Sequence, residues 1–139
     1  LPSARTLLVQ AARQPVDPLR HLFEQNGYET EVALSKQVAL TILQERKMDL
    51  VIISSTVQEI SGVEILYEIR KIISNVPVIV ISNQKSKRIE SSFMKAGVNI
   101  FIVKPLEPTF VLKTIDNLLE ARFASVATKK TRSYSKSKK

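Results

Sequence analysis

Ala96-Gly97-Val98-Asn99-Ile100-Phe101-Ile102-Val103-Lys104-Pro105-Leu106-Glu107-Pro108 is a glycine turn, a short apolar run, one charge and a proline break, in that order. Ile100 to Val103 has the length and composition of a buried-type strand. Lys104 stands at its carboxyl end and Pro105 follows at once. In a parallel α/β sheet, ligand chemistry collects just beyond the carboxyl ends of the strands. Lys104 is therefore a cation where an anion is expected to arrive, and the residues ending the other strands decide what it can do.

The same unit recurs toward the amino terminus. Thr6-Leu7-Leu8-Val9 reads as a first strand ending at Gln10. Asp17 can cap a helix that has Pro18 at its first position, Leu19, Leu22 and Phe23 on one face and Asn26-Gly27 as the stop. Tyr28 to Ala33 alternates as a half-exposed second strand, and Ser35 caps a second helix with the stripe Val38, Ala39, Ile42, Leu43. Leu50-Val51-Ile52-Ile53 is apolar throughout, as a central strand covered on both faces should be. Thr56 to Gly62 reads as loop, and Val63, Ile65, Leu66 and Ile69 line a third helix. Pro77 to Ile81 is a fourth strand, its proline at the first position where a missing donor is tolerated. Ser86 to Ala96 is a shorter, more polar helix closed by Gly97. Pro108 to Arg122 makes the last helix, with Phe110, Val111, Ile115, Leu118 and Leu119 inward. Five strands alternating with five helices predict a doubly wound α/β fold: one parallel sheet of order 2-1-3-4-5 between helical layers, a flavodoxin-like three-layer sandwich.

Composition sets the class. At 139 residues, 44% hydrophobic and 24% charged, the chain suits one ordinary domain. It has no cysteine, which excludes disulfides and thiolate metal sites and favours a reducing compartment. No apolar run approaches the roughly 18 residues that span a bilayer, and no signal-peptide pattern follows Leu1, so a cytoplasmic protein with no membrane span is expected. The net charge of +8 is concentrated at the carboxyl end. Lys129, Lys130, Arg132, Lys136, Lys138 and Lys139 face no acidic residue over 123–139, which leaves +2 for the first 122 residues. The near-neutral 1–122 argues against a broad nucleic-acid footprint on the domain. From about Ala124 the composition turns to Lys, Ser, Thr and Arg, which cannot offset ordering entropy by burial, so 123–139 is expected to be a disordered tail or linker. Nucleic-acid contact would run through that tail, where Tyr134 is the one aromatic available for stacking.

Asp49-Leu50-Val51-Ile52-Ile53, Ser61-Gly62-Val63-Glu64-Ile65-Leu66, Val76-Pro77-Val78-Ile79-Val80-Ile81-Ser82, Lys95-Ala96-Gly97-Val98-Asn99 and Phe101-Ile102-Val103-Lys104-Pro105 follow one another at set intervals. In that order and spacing, from residue 5 to about 122, the chain resembles the receiver domain of two-component response regulators, the CheY-like fold. The resemblance implies a site in which three carboxylates hold Mg²⁺ and one of them accepts a phosphoryl group. A hard cation wants carboxylate oxygens, and a nearby lysine and hydroxyl bind the remaining phosphoryl oxygens.

Matched residue by residue, the acidic pair falls on Gln10 and Ala11, and the phosphoacceptor position on Ser54. The hydroxyl is retained as Ser82 and the lysine as Lys104, with Pro105 beside it, while the aromatic switch position is Phe101. A serine hydroxyl has no charge to hold Mg²⁺, and nothing nearby resembles a general base. Among the other acids, Asp17 is better explained as a cap, Asp49 precedes its strand, and Glu59 alone does not make a Mg²⁺ site. No metal and no cofactor are therefore expected. Plainer alternatives stand beside each residue. Lys104 either binds an anion, or hydrogen-bonds Ser54 and Ser82, or snorkels to solvent. Ser54 is a phosphorylated residue or a small polar filler, and Phe101 a rotameric switch or a packed ring. His21, alone in a helix, has no catalytic partner.

Other families of this shape fit less well. The loop Gln10-Ala11-Ala12-Arg13-Gln14-Pro15 has no glycine for a flavodoxin-type phosphate nest, GxGxxG is absent, and His21 is not in the glycine-bearing loop a cobalamin site needs. The expectation is a non-enzymatic, degenerate receiver that signals through protein contacts without aspartyl phosphorylation. By resemblance its interface is the fourth helix, fifth strand and fifth helix, with Lys87, Arg88, Lys95, Phe101 and Lys113 accessible. It would meet a signalling protein, an attached effector domain or a second copy of itself. The alternative is a regulator whose tail or following effector domain binds nucleic acid.

Overall fold

The computed structural model describes residues 4–11, 18–54, 57 and 59–127. Backbone contacts group Leu1–Leu106 as one unit and Glu107–Lys139 as a second. In the first unit the elements alternate as β1 (Arg5–Val9), α1 (Pro18–Gln25), β2 (Glu29–Ala33), α2 (Lys36–Glu45), β3 (Leu50–Ile53), α3 (Glu59–Ile72), β4 (Val78–Ser82), α4 (Lys87–Ala96) and β5 (Ile100–Val103). All four strand pairings are parallel, in the order β2-β1-β3-β4-β5. This is the doubly wound, flavodoxin-like sheet that the apolar runs predict. The order reverses between β1 and β3, so the crevice at the carboxyl ends of those strands is the place where such folds bind ligands.

Strand pleating sends alternate residues to opposite faces. Leu7 and Val9, Val51 and Ile53, and Val78 and Val80 turn to one face and join a core with Ile42 and Leu43 of α2, Leu66 and Ile69 of α3, and Ile89 and Phe93 of α4. The intervening Leu8, Leu50, Ile52, Ile79 and Ile81 are equally buried. β1, β3 and most of β4 are covered on both faces, which is why they read as unbroken apolar runs.

Local chemistry sets the helix ends. Ser35 Oγ accepts from the Val38 amide and Ser86 Oγ from the Ile89 amide, each satisfying an orphan donor of a first turn. Gly97, at φ 102°, ends α4 in the left-handed region, and Gly27, at φ 87°, follows α1. In the second unit α5 (Pro108–Ala127) begins with Glu107 Oε1 accepting from the Phe110 amide at 2.7 Å.

Several expectations need correction. α3 starts at Glu59, so Gly62 lies inside a helix rather than closing a loop. A Cβ there would stand 3.0 Å from Phe93 Cζ, so the glycine serves close approach instead of a turn. Val38 and Phe110, expected in buried stripes, are 44% and 57% exposed, and Leu118 is half-buried. β5 is an edge strand with only Ile102 buried, not the buried strand its composition suggests. α5 continues past Arg122 through Ala124 to Ala127, where disorder was expected. The rest of the basic tail, with Tyr134, and the cap residue Asp17 lie outside the described residues. Among the described residues no helix is long and apolar enough to cross a membrane.

Candidate functional site

Gln10, Ser54 and Lys104 each sit one position beyond a strand and Ser82 at a strand's last residue, so the sheet gathers these four along its carboxyl edge. Gln10 follows β1 and Ser54 follows β3, on either side of the order reversal. The Ser54 amide donates to Val9 O at 2.9 Å and the Gln10 amide to Ala33 O at 2.9 Å, which fixes both backbones in the sheet lattice. Both residues are buried, Gln10 at 4% exposure and Ser54 at 9%, while Ala11 is exposed. Ser82 ends β4, and its carbonyl accepts from the Lys104 amide at 2.8 Å, which sets Lys104 beside it. The Lys104–Pro105 peptide is cis, and both residues are exposed.

Side chains refine that picture. The Ser82 hydroxyl closes a local turn, accepting from the Gln84 amide and donating to Gln84 O, both at 3.0 Å. Phe101 is half-buried, its ring 5.9 Å from that of Phe93 and tilted by 37°, the packed arrangement rather than a solvent-facing one. Asp49 is at the opposite edge: its carboxylate accepts from the Arg5 amide at 2.9 Å and its own amide donates to Arg5 O at 2.8 Å. His21 is exposed on α1. Lys87, Arg88 and Lys95 are exposed on α4, and Lys113 is exposed on α5 in the second unit.

A cavity of about 430 Å³ opens at this edge and is lined by both Ser54 and Ser82 together with Arg88. The sequence singled out Arg88 only as a surface cation. Its place on a cavity wall depends on the angle at which α4 leaves the sheet, which no local pattern records. The Arg70 hub was not legible either. Its guanidinium donates from Nε and Nη2 to Gly97 O (3.0 and 2.8 Å), from Nη1 to Val76 O (2.6 Å) and from Nη2 to Asn99 Oδ1 (2.9 Å). Asn99 Oδ1 also accepts from the Val78 amide at 2.8 Å. The network ties the end of α3 to the turn that delivers β5, and burial lowers the Arg70 pKa below its ordinary value.

As a donor set, the β1 and β3 ends offer an amide at Gln10, a methyl at Ala11 and a hydroxyl at Ser54. Among the described residues no group of three His, Asp or Glu side chains converges. That set does not fit Mg²⁺, which asks for anionic oxygens in near-octahedral order.

Comparison with known proteins follows the geometry. The family model of the response regulator receiver domain matches residues 7–116. The chemotaxis protein CheY of Thermotoga maritima is 30% identical over 115 residues, which cover 82% of this chain and 96% of that one. The transcriptional regulatory protein GlrR of Escherichia coli is 31% identical over 94 residues, 68% of this chain but 21% of GlrR, so the chain spans about a fifth of that regulator. A receiver domain structure from Methanospirillum hungatei superposes with a TM-score of 0.79 at 22% identity, covering 88% of this chain and 98% of that one.

Proposed function

The chain belongs to the response regulator receiver family, and we propose that it is a degenerate member, one that signals through protein–protein contacts without aspartyl phosphorylation. The observation that carries this reading is the donor set Gln10, Ala11 and Ser54 at the carboxyl ends of β1 and β3. Phosphoryl transfer to a receiver needs a metal to neutralise charge on the moving group and a carboxylate to accept it. An amide, a methyl and a hydroxyl supply neither. Ser54 would have to lose a proton to attack, and no carboxylate or histidine joins Ser54 in lining the cavity among the described residues. Ser82, Lys104 and Pro105 are then what remains of the site, and Phe101 acts as a packing ring against Phe93.

What the module retains is a surface. Lys87, Arg88 and Lys95 on α4 are exposed cations suited to an acidic partner, either a signalling protein, an attached effector domain or a second copy of the chain, and Lys113 is an exposed cation of the second unit. Receiver function is assigned to 1–122, with 123–139 as a basic tail or linker whose first residues extend α5, and the protein is placed in the cytoplasm. A second reading draws on the six basic residues of 123–139: a regulator that contacts nucleic acid through its tail or a following domain. Salt-sensitive DNA retention by the full chain, absent from a chain ending at Ala127, would favour it.

Amide spectra recorded through a Mg²⁺ titration test the leading reading. The resonances of Gln10, Ala11 and Ser54 are expected to stay in place at millimolar Mg²⁺. A saturable shift centred on those three would overturn it.

A further inference from the structure

Asn26-Gly27 is the one place in the chain where an asparagine precedes a glycine. It lies between α1 and β2, and both residues are exposed. Gly27 takes φ 87°, and nothing stands within 4 Å of the point where a Cβ would be. The peptide nitrogen of residue 27 therefore has no side chain of its own to shield it and no crowded neighbour to resist rearrangement. What holds it is slight. The Gly27 amide donates to Glu24 O at 3.2 Å, the long end of the N–H···O range, and Asn26 Nδ2 donates to Leu22 O at 2.8 Å. Both bonds close the end of an eight-residue helix, and such ends open at little cost.

The other asparagines are placed differently. Asn99 Oδ1 accepts from Arg70 and from the Val78 amide, Asn75 precedes the buried Val76, and Asn117 lies within α5 before the half-buried Leu118. Asn83 is exposed, but the Gln84 amide that follows it donates to Ser82 Oγ at 3.0 Å.

We propose that Asn26 is a site of spontaneous deamidation, a slow covalent change that loosens the junction of α1 and β2. When the helix end opens, the Gly27 nitrogen gives its proton to base and attacks Asn26 Cγ. The Cγ–Nδ2 bond breaks, Nδ2 leaves as ammonia, and a cyclic imide is closed. Water then opens the ring at either carbonyl, giving aspartate or isoaspartate. One water enters and one ammonia leaves, so no oxidant or cofactor is consumed. Either product loses the donor that satisfies Leu22 O and puts a negative charge at the negative end of α1. Isoaspartate also adds a methylene to the main chain just before Tyr28. The Tyr28 amide donates to Phe23 O at 3.0 Å and its ring meets Phe23 edge-on at 6.1 Å, so the added length strains the entry to β2.

Prolonged incubation of the full chain in mildly alkaline buffer, followed by peptide mapping, tests the site. A gain of about 1 Da is expected first on the peptide that holds Asn26, together with methyl acceptance there from an isoaspartyl methyltransferase. Asn26→Gln, in which closure needs a six-membered ring, should abolish both. Asn26→Asp, made directly, should accelerate amide exchange over residues 22–28 and leave α4 at its original rate. The same chain unfolded in urea supplies the reference for the chemistry. An Asn26 peptide that stays unchanged in the folded chain after the unfolded chain has converted there would overturn the proposal. So would another asparagine converting first, or exchange over 22–28 unaltered in Asn26→Asp.

Discussion

Arg70→Met should destabilise the protein by about 2–4 kcal/mol, and the figure follows from the acceptors it abandons. Methionine keeps the length and apolar stem of the arginine but has no donor. Gly97 O then loses two donors and Val76 O loses one. Val76 is fully buried and Gly97 half-buried, so water replaces the lost bonds only in part. A buried carbonyl left unpaired costs about 1–3 kcal/mol, and two of them, discounted for partial exposure at Gly97, give the range stated. Asn99 Oδ1 keeps its bond from the Val78 amide and adds little. With roughly 2–6 °C of midpoint per kcal/mol for a domain near this size, melting should fall by about 5–20 °C. Lysine has donors but no fork, so Arg70→Lys should recover about half. Burial lowers the Arg70 pKa, which means the fold disfavours its charged form. The sign is therefore a burial cost present at all pH below the folded pKa and relieved only above it, in strong alkali. Between acid and neutral pH the loss in Arg70→Met should be flat. Far-UV circular dichroism during urea and thermal unfolding measures it, and amide exchange at Val98 and Asn99 locates it. A change below about 0.5 kcal/mol, or one that varies steeply between pH 5 and 8, would refute the reasoning.

Further predictions concern single contacts. Gly62→Ala brings a Cβ to 3.0 Å from Phe93 Cζ; overpacking of about 1–3 kcal/mol outweighs a helix-propensity gain of about 1 kcal/mol, so net destabilisation is expected together with a change in near-UV dichroism. Thr6→Val should stabilise by about 1 kcal/mol, because Thr6 Oγ1 is buried without a partner, beside Thr30 Oγ1 in the paired strand; denaturant midpoints read it. Ser86→Ala removes the acceptor of the Ile89 amide and should cost about 1 kcal/mol, with exchange accelerated in the first turn of α4.

The sheet was legible because its strands are apolar on both faces: Leu50 to Ile53 reads as a covered strand, and the strand order follows from strict alternation. Periodicity was less dependable for burial. Val38 shares a helical face with Ile42, yet only Ala39, Ile42 and Leu43 of α2 are covered, since a face is buried only as far as a neighbour reaches. β5 read as a buried-type strand by composition, yet at the sheet edge, where the expected order had already put it, only Ile102 is buried. Gly62 read as a break because its need, room for a ring 31 positions away, is tertiary. The strand-end residues were placed correctly along the chain, since position after a strand is a local property. Their company was not: the Ser82–Gln84 turn, the Arg88 wall and the Arg70 hub join segments through space.

The central claim, a receiver that signals without aspartyl phosphorylation, meets its most direct test in intact-mass spectrometry of the full chain after incubation with acetyl phosphate and Mg²⁺. The account predicts an unmodified mass. A stable, hydroxylamine-labile phosphoryl adduct on this chain would contradict it.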